Sequence, residues 1–274
     1  MKIIQLTDTH IVPDGGQLFE SDPAARLRAA IKDINAKHAD ADLCVLSGDL
    51  THNGDREAYA TLRDILEDLQ PPRQLVVGNH DDRTRLCDAF PEVERTKDGF
   101  LQSFRDMNDH RLIFLDTIEP GVHTGAFCEK RASWLSHALS DAGERGVLIF
   151  MHHPPTTIRM PKLDAYRILD AGPLQATLAA HKANVRHIFF GHIHRPLAGS
   201  WHGIPISATK GTNHQSGLDF SAGSTNTVTL EPASYAVIFV DSGSVIVHFD
   251  DFSDTSPRFV YDPSAAPDKQ IQRL

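Results

Sequence analysis

The chain has 274 residues, of which 41% are hydrophobic and 23% charged, with a formal net charge of −9. That length suits one large α/β domain or two small ones, and the apolar share suits a protein that buries a core. The acidic balance argues against a surface that coats nucleic acid, which needs a basic stripe; a small phosphate ester stays admissible, because bound dications reverse the local sign.

In chain order, Lys2–Leu6 predicts a strand, and Asp8-Thr9-His10 comes directly after it. Pro23–His38 puts Ala24, Leu27, Ala30, Ile31 and Ile34 on one helical face, with Asp22 as N-cap and Pro23 in the first helical position. Leu43–Ser47 predicts a strand buried on both faces that ends at Gly48-Asp49. Arg56–Leu69 repeats the helical pattern until Pro71-Pro72 stops it. Gln74–Val77 leads into Gly78-Asn79-His80-Asp81, and Arg111–Leu115 is a further strand. After a helix over Lys130–Ala142, the strand Val147–Met151 precedes His152-His153-Pro154-Pro155. A helix over Pro173–His181 and a strand over His187–Phe190 then lead to Gly191-His192-Ile193-His194. Pro205–Ala208 is another strand, and Ser234–Val240 with Val245–Phe249 reads as a β-hairpin. Alternating strand and helix early in the chain predicts parallel βαβ units.

Residues 1–252 are expected to form a single domain. Excursions near 155–172 and 211–232 would suit a small cap or a dimerisation element, and 253–274 reads as a C-terminal arm. Cys44, Cys87 and Cys128 make an odd, sparse set that fits a reduced compartment, with Cys44 a core residue. Met1-Lys2 runs straight into Ile3-Ile4, without a charged and apolar leader, and no apolar stretch approaches about 20 residues. A cytoplasmic location without a membrane partner is therefore expected.

The chemistry lies in the motifs at the strand ends. Acids at the carboxyl ends of parallel strands sit where active sites of such sheets gather. In extended chain Asp8 and His10 would point the same way and converge on one ion. Asn79 offers a neutral carbonyl oxygen, and adjacent His80 would point elsewhere, toward a phosphoryl oxygen or leaving group. His152 can face a metal while His153 points away. Each motif alone has an ordinary reading, such as a turn, a cap or a surface histidine. Five ligand-bearing strand ends in one chain instead predict a single site.

D-x-H, G-D, G-N-H-D, H-H and G-H-x-H in this order resemble the calcineurin-like metallophosphoesterase superfamily, over roughly Met1 to Ala208. The aspartate after Gly-Asn-His and the compact length resemble its class III cyclic nucleotide phosphodiesterase branch. Gly211-Thr212-Asn213-His214-Gln215 is similar to the bacterial glycerophosphodiesterases of that branch. The resemblance implies a four-layer α/β/β/α sandwich of two mixed sheets. It implies one metal on Asp8, His10, Asp49 and His194, and another on Asp49, Asn79, His152 and His192, with Asp49 bridging. It places His80 beside the substrate as proton donor or charge stabiliser, His214 in the pocket wall, and His153 outside the ligand set.

The implied reaction is hydrolysis of small phosphodiesters, cyclic nucleotides or glycerophosphodiesters, by in-line attack of metal-bound hydroxide. Mixed His, Asp and Asn donors suit two divalent or trivalent ions drawn from Mn, Fe, Zn and Co. A broad phosphomonoesterase on the same site is the alternative; Arg159, Lys162 and Lys210 lie where they could meet the extra charge, or be solvated surface groups. A non-catalytic binding module would be expected to lack ligands, whereas all seven positions are filled. A nuclease is disfavoured by the acidic charge, so no stable nucleic-acid partner is expected. A homodimer or higher homo-oligomer is the expected assembly.

Overall fold

A computed structural model of the protein describes residues 1–181, 184–223, 225–265 and 269–273. The elements in chain order begin β1 (Lys2–Leu6), α1 (Pro23–His38), β2 (Leu43–Ser47), α2 (Arg56–Leu66), β3 (Arg73–Val76) and α3 (Arg83–Ala89). Next come β4 (Ser103–Met107), β5 (His110–Phe114), α4 (Glu129–Asp141), β6 (Gly146–Phe150), α5 (Pro161–Asp164), α6 (Gly172–Ala180) and β7 (Val185–Phe190). The last part holds β8 (Leu197–Trp201), β9 (Ile204–Ala208), β10 (Gln215–Ser216), β11 (Val228–Thr229), β12 (Tyr235–Val240), β13 (Val245–Asp250), β14 (Phe259–Tyr261) and β15 (Ile271–Arg273).

Two mixed sheets form the middle. One runs β13-β12-β1-β2-β3, with β1, β2 and β3 parallel, β12 antiparallel to β1, and β13 antiparallel to β12 at the edge. The other runs β4-β5-β6-β7-β9-β8, parallel at its centre with an antiparallel strand at each edge. Three apolar cores fix the layering. Leu27, Ile31 and Ile34 of α1 and Leu62 and Ile65 of α2 pack on the outer face of the first sheet. Leu135 and Leu139 of α4 and Leu174 and Leu178 of α6 pack on the outer face of the second. Ile3, Val45, Val76, Leu148, Phe150 and Phe189 fill the seam between the sheets. The architecture is the α/β/β/α sandwich expected from the sequence.

Local chemistry explains the element ends. The Asp22 carboxylate accepts the Ala25 amide at 3.0 Å and caps α1. α2 stops at Leu66 rather than Leu69, because Asp68 and Leu69 donate to the carbonyls of Ile65 and Leu66 at 3.3 Å. Those i→i−3 bonds tighten the last turn out of α-geometry before Pro71. The edge strands β4 and β8 do not stand out as apolar runs: β4 reads Ser-Phe-Arg-Asp-Met and is exposed through its middle. Polar edges of this kind resist pairing with another chain.

The excursion over 211–231 is closed by the two-stranded β10–β11 ladder, although residue 224 lies outside the described residues. In the arm, β14 and β15 pair antiparallel, while 266–268 and 274 lie outside the described residues. Cys44 is fully buried, as a core residue should be. Among the described residues no helix is long and apolar enough to cross a membrane.

Candidate metal centre

Five loops leave the carboxyl ends of β1, β2, β3, β6 and β7 and meet over the seam. They are tied to one another by backbone bonds: the Asp8 amide donates to Gly48 O at 3.0 Å, His10 to Asp49 O at 2.9 Å, and Gly191 to His152 O at 3.1 Å. Side chains join the two sheets at the same end. The Gln5 amide donates to Ser47 Oγ at 2.9 Å and to Phe190 O at 3.1 Å, and the His192 amide donates to Asp8 Oδ2 at 3.0 Å.

The loops are strained where the donors sit. Asp8, His10, Asp49, His192 and His194 all have positive φ, from 44° to 70°. Extended backbone does not aim Asp8 and His10, contrary to the expectation from their spacing; each is turned inward in the left-handed region. Non-glycine residues there cost on the order of 1–3 kcal/mol each and persist where surrounding structure enforces them, typically at functional sites. Glycines open room beside them. A Cβ on Gly78 would stand 2.0 Å from the Asp49 amide nitrogen, and one on Gly48 would stand 2.3 Å from the His152 ring.

The side chains of the seven candidate ligands gather in two lobes that share Asp49. In one, His194 Nε2 lies 3.3 Å from Asp8 Oδ1 and 3.3 Å from His10 Nε2, and His10 Nε2 lies 3.6 Å from Asp49 Oδ2. In the other, His152 Nε2 lies 3.2 Å from Asp49 Oδ1, 3.1 Å from Asn79 Oδ1 and 3.3 Å from His192 Nδ1. Donors bound to one ion at about 2.0–2.2 Å stand roughly 3.0–3.5 Å from their neighbours. Most of the observed spacings fall in that range.

Three further observations fit cations here. Among the described residues Asp8 Oδ1 is buried without a hydrogen-bond donor. Outer partners hold the imidazole lone pairs inward: His152 Nδ1–H donates to Ser47 O at 2.9 Å and His194 Nδ1–H to His214 O at 2.8 Å, leaving each Nε2 facing the lobe. Charge is the third. Burial would raise Asp8 and Asp49, yet neighbouring imidazoles, His194 at Asp8 and His152 at Asp49, hold both carboxyls below their ordinary value. Against its own burial, Asp49 pushes His152 up to about 9. A buried carboxylate pair that draws positive charge from every side suits cations.

His80 stands beside this cluster. Its Nδ1–H donates to His52 O at 2.7 Å, its Nε2 lies 4.0 Å from Asp49 Oδ2, and its side chain is 24% exposed. Its own amide donates to Asp49 Oδ1 at 2.9 Å. The His214 ring stacks near His194 at 4.3 Å and His10 at 5.0 Å. His153 meets the Thr117 hydroxyl at 2.8 Å and the His123 carbonyl at 3.2 Å, and it also lies close enough to His152 and His192 for the three to share an ion.

His52 and His123, beside the site, carried little sequence signal. His52 stacks on His80 at 5.1 Å and reaches within 3.3 Å of His10 Nδ1; its place three residues after Asp49 was the available hint. His123, on a loop after β5, accepts from Asn79 Nδ2 at 2.9 Å and so turns the amide oxygen toward His152. Asp81 is a positioning residue. It accepts from the amides of Gly78, Leu50 and Thr51 and from the Tyr59 hydroxyl at 2.9–3.0 Å, joining the loops that carry Asp49 and Asn79. Burial, then the Asp49 charge, push Asp81 up to about 6. Lys162 and Lys210 prove to be neither solvated nor free: they pair with Asp219 and Asp251, the latter at 2.8 Å.

A profile of the calcineurin-like phosphoesterase family matches residues 1–196. The chain belongs to that family. It is 35% identical over 269 residues to a probable cyclic nucleotide phosphodiesterase of Rhodopseudomonas palustris, covering 97% of this chain and 98% of the relative. It is 28% identical over 236 residues to a probable glycerophosphodiester phosphodiesterase of Arcobacter nitrofigilis, covering 85% and 86%. Its fold superposes on a dimetal phosphatase from Danio rerio with a TM-score of 0.69 at 15% identity, covering 90% of this chain and 95% of that one.

Proposed function

We propose that this protein is a metal-dependent phosphodiesterase acting on small diesters, cyclic nucleotides or glycerophosphodiesters. Asp8, His10, Asp49 and His194 would hold one cation, and Asp49, Asn79, His152 and His192 the other. When bound, two such ions polarise a phosphoryl group and acidify a water for attack. Mn, Fe, Zn or Co would suit these donors. The observation that carries the reading is Asp49, whose two oxygens face two separate donor groups, Oδ1 toward His152 at 3.2 Å and Oδ2 toward His10 at 3.6 Å.

The chain's own groups account for binding and proton handling. His80 keeps its ring fixed through the His52 carbonyl and presents Nε2 to the open side, where it meets a phosphoryl oxygen or the leaving alkoxide. His214 forms the wall on the Asp8 side. The catalytic unit is residues 1–252, with the excursions at 155–172 and 211–232 beside the site and 253–274 as an arm. A monoester brings a second negative charge. Lys162 and Lys210 are committed to Asp219 and Asp251, which leaves the exposed Arg159, of the three basic candidates, to meet it.

The test is a substrate panel on the full chain with Mn²⁺ and with chelator: 3′,5′-cAMP, 2′,3′-cAMP, glycerophosphocholine, glycerophosphoethanolamine and p-nitrophenyl phosphate. Diester turnover that vanishes on chelation is expected. Preference for the monoester, or turnover indifferent to chelator, overturns the reading.

A further inference from the structure

We propose that Phe19 is a platform on which the base of a nucleotide substrate stacks, so that cyclic nucleotides, rather than glycerophosphodiesters, are the preferred diesters of the proposed site. The proposal rests on the diesterase reading and goes beyond it by naming which diester fits. Leu18 and Ser21 close a tight turn, each amide donating to the other's carbonyl at 2.8 and 3.0 Å. The two residues between them, Phe19 and Glu20, have φ of 52° and 60°. A turn with two left-handed central residues favours Asn-Gly, and a bulky aromatic there is a conformational outlier. The turn is also anchored: Arg26 Nε donates to Ser21 Oγ at 2.6 Å, and Asp22, next in sequence, caps α1.

That strain leads nowhere inside the fold, because Phe19 is 47% exposed. Its ring instead stands 4.7 Å from the ring of His214, which lies 4.3 Å from His194 and 5.0 Å from His10. A strained turn thus holds a half-exposed aromatic ring one imidazole away from the candidate donors. A diester whose phosphorus sits over those donors extends its alcohol portion along this wall. A cyclic nucleotide carries a flat π-system one sugar from its phosphorus, which stacks on such a face; a glycerol arm offers none. A choline headgroup is also attracted to aromatic rings, but best inside a cage of several, and the neighbour here is the imidazole of His214. Tyr166 stands elsewhere, 6.4 Å from His123 and 6.5 Å from His192, edge-on to both rings.

The strain itself supplies the test, since Phe19→Gly relieves it while removing the ring. In the Mn²⁺-loaded full chain, Phe19→Gly is expected to keep or raise Tm. The Kd for the slowly hydrolysed Rp-phosphorothioate of 3′,5′-cAMP, measured by calorimetry, should rise about tenfold. The KM for 3′,5′-cAMP should rise similarly, with the loss in KM rather than kcat, and Phe19→Tyr should restore both. An unchanged Kd overturns the platform. So does a weaker Kd accompanied by a fall in Tm, a larger effect on glycerophosphocholine than on cAMP, or a larger effect from Tyr166→Ala. Wild-type protein that turns over no diester breaks the underlying reading instead; that is seen in turnover, while the platform is judged on Kd.

Discussion

The two sheets bring different chemistry to the place where they meet. The sheet containing β1, β2 and β3 supplies every candidate oxygen donor, Asp8, Asp49 and Asn79, with His10 as its one imidazole among the seven. The sheet containing β6 and β7 supplies only nitrogens, His152, His192 and His194. Each lobe draws on both: His194 crosses to Asp8 and His10, and His152 crosses to Asp49 and Asn79. Neither sheet could assemble either lobe alone. Elsewhere the seam is apolar, held by residues such as Ile3, Val45, Phe150 and Phe189. The difference teaches that bound cations would act as cross-links between layers as well as in chemistry, since they offset carboxylates that the apolar seam alone would leave buried and unpaired.

The sharpest way to break this comparison is to remove the group shared by both lobes. Asp49→Ala should lower kcat on bis-p-nitrophenyl phosphate by more than about 10³, because loss of a single preorganised group already costs about 10²–10³. Metal content of the purified variant should fall with it. A variant keeping a tenth of the wild-type rate would show that Asp49 does not join the lobes. Removing the ions from the wild-type chain should come next in effect. Ligand bound at about a thousandfold over its Kd stabilises by roughly 4 kcal/mol, which in a chain of this size is on the order of ten degrees in Tm. A thermal scan with and without chelator reads it. Equal Tm values in protein shown by elemental analysis to have lost its metal would mean the seam does not depend on the ions.

His80 sharpens the comparison from the other side. It belongs to the oxygen-rich sheet's loops yet is not among the seven proposed donors, and its ring is held by the His52 carbonyl and by the rings of His10, His52 and His123. His80→Ala should lower kcat by about 10²–10³ while metal content stays at the wild-type level and Tm moves little. If metal content fell as far as in Asp49→Ala, His80 would have to be counted as a ligand rather than a group that meets substrate.

Much of this was legible in the sequence. Strand ends could be placed because Leu43–Ser47, Val147–Met151 and their like are short, apolar and β-branched, and each runs directly into chemistry-bearing residues. The proposed donors came from a family resemblance, which the types, order and positions of the motifs after strands carry. The hidden parts have physical causes. The edge strands β4 and β8 lack apolar runs because one side faces solvent. His52, His123 and Phe19 sit in loops, whose paths no periodicity records. The left-handed conformation of Asp8, His10, Asp49, His192 and His194 carries no signal, since these are residue types that tertiary contacts force there. The partners of Lys162 and Lys210 lie 57 and 41 residues away, beyond any local pattern.

The smallest effect separates the nitrogen-rich sheet's interior from its rim. His187 lies on β7 upstream of the candidate ligands, stacked on Phe189 at 4.2 Å and hydrogen-bonded to Ser207 Oγ at 2.8 Å. Burial depresses it to about 4 from its ordinary 6.5, with no charged neighbour contributing. The folded state therefore favours the neutral ring. Its contribution is fully present above pH 6.5 and is lost as pH falls through that value toward 4, because the unfolded chain takes up the proton first. The size is on the order of 1–3 kcal/mol, a few degrees in Tm. His187→Asn keeps a polar group near Ser207 without the titration. Rim histidines titrate in both proteins, so with both stripped of metal the Tm gap between wild type and variant isolates His187. That gap should narrow as pH is lowered from 7.5 to 5, and a gap that stayed constant would place the acid sensitivity of this sheet wholly at its rim.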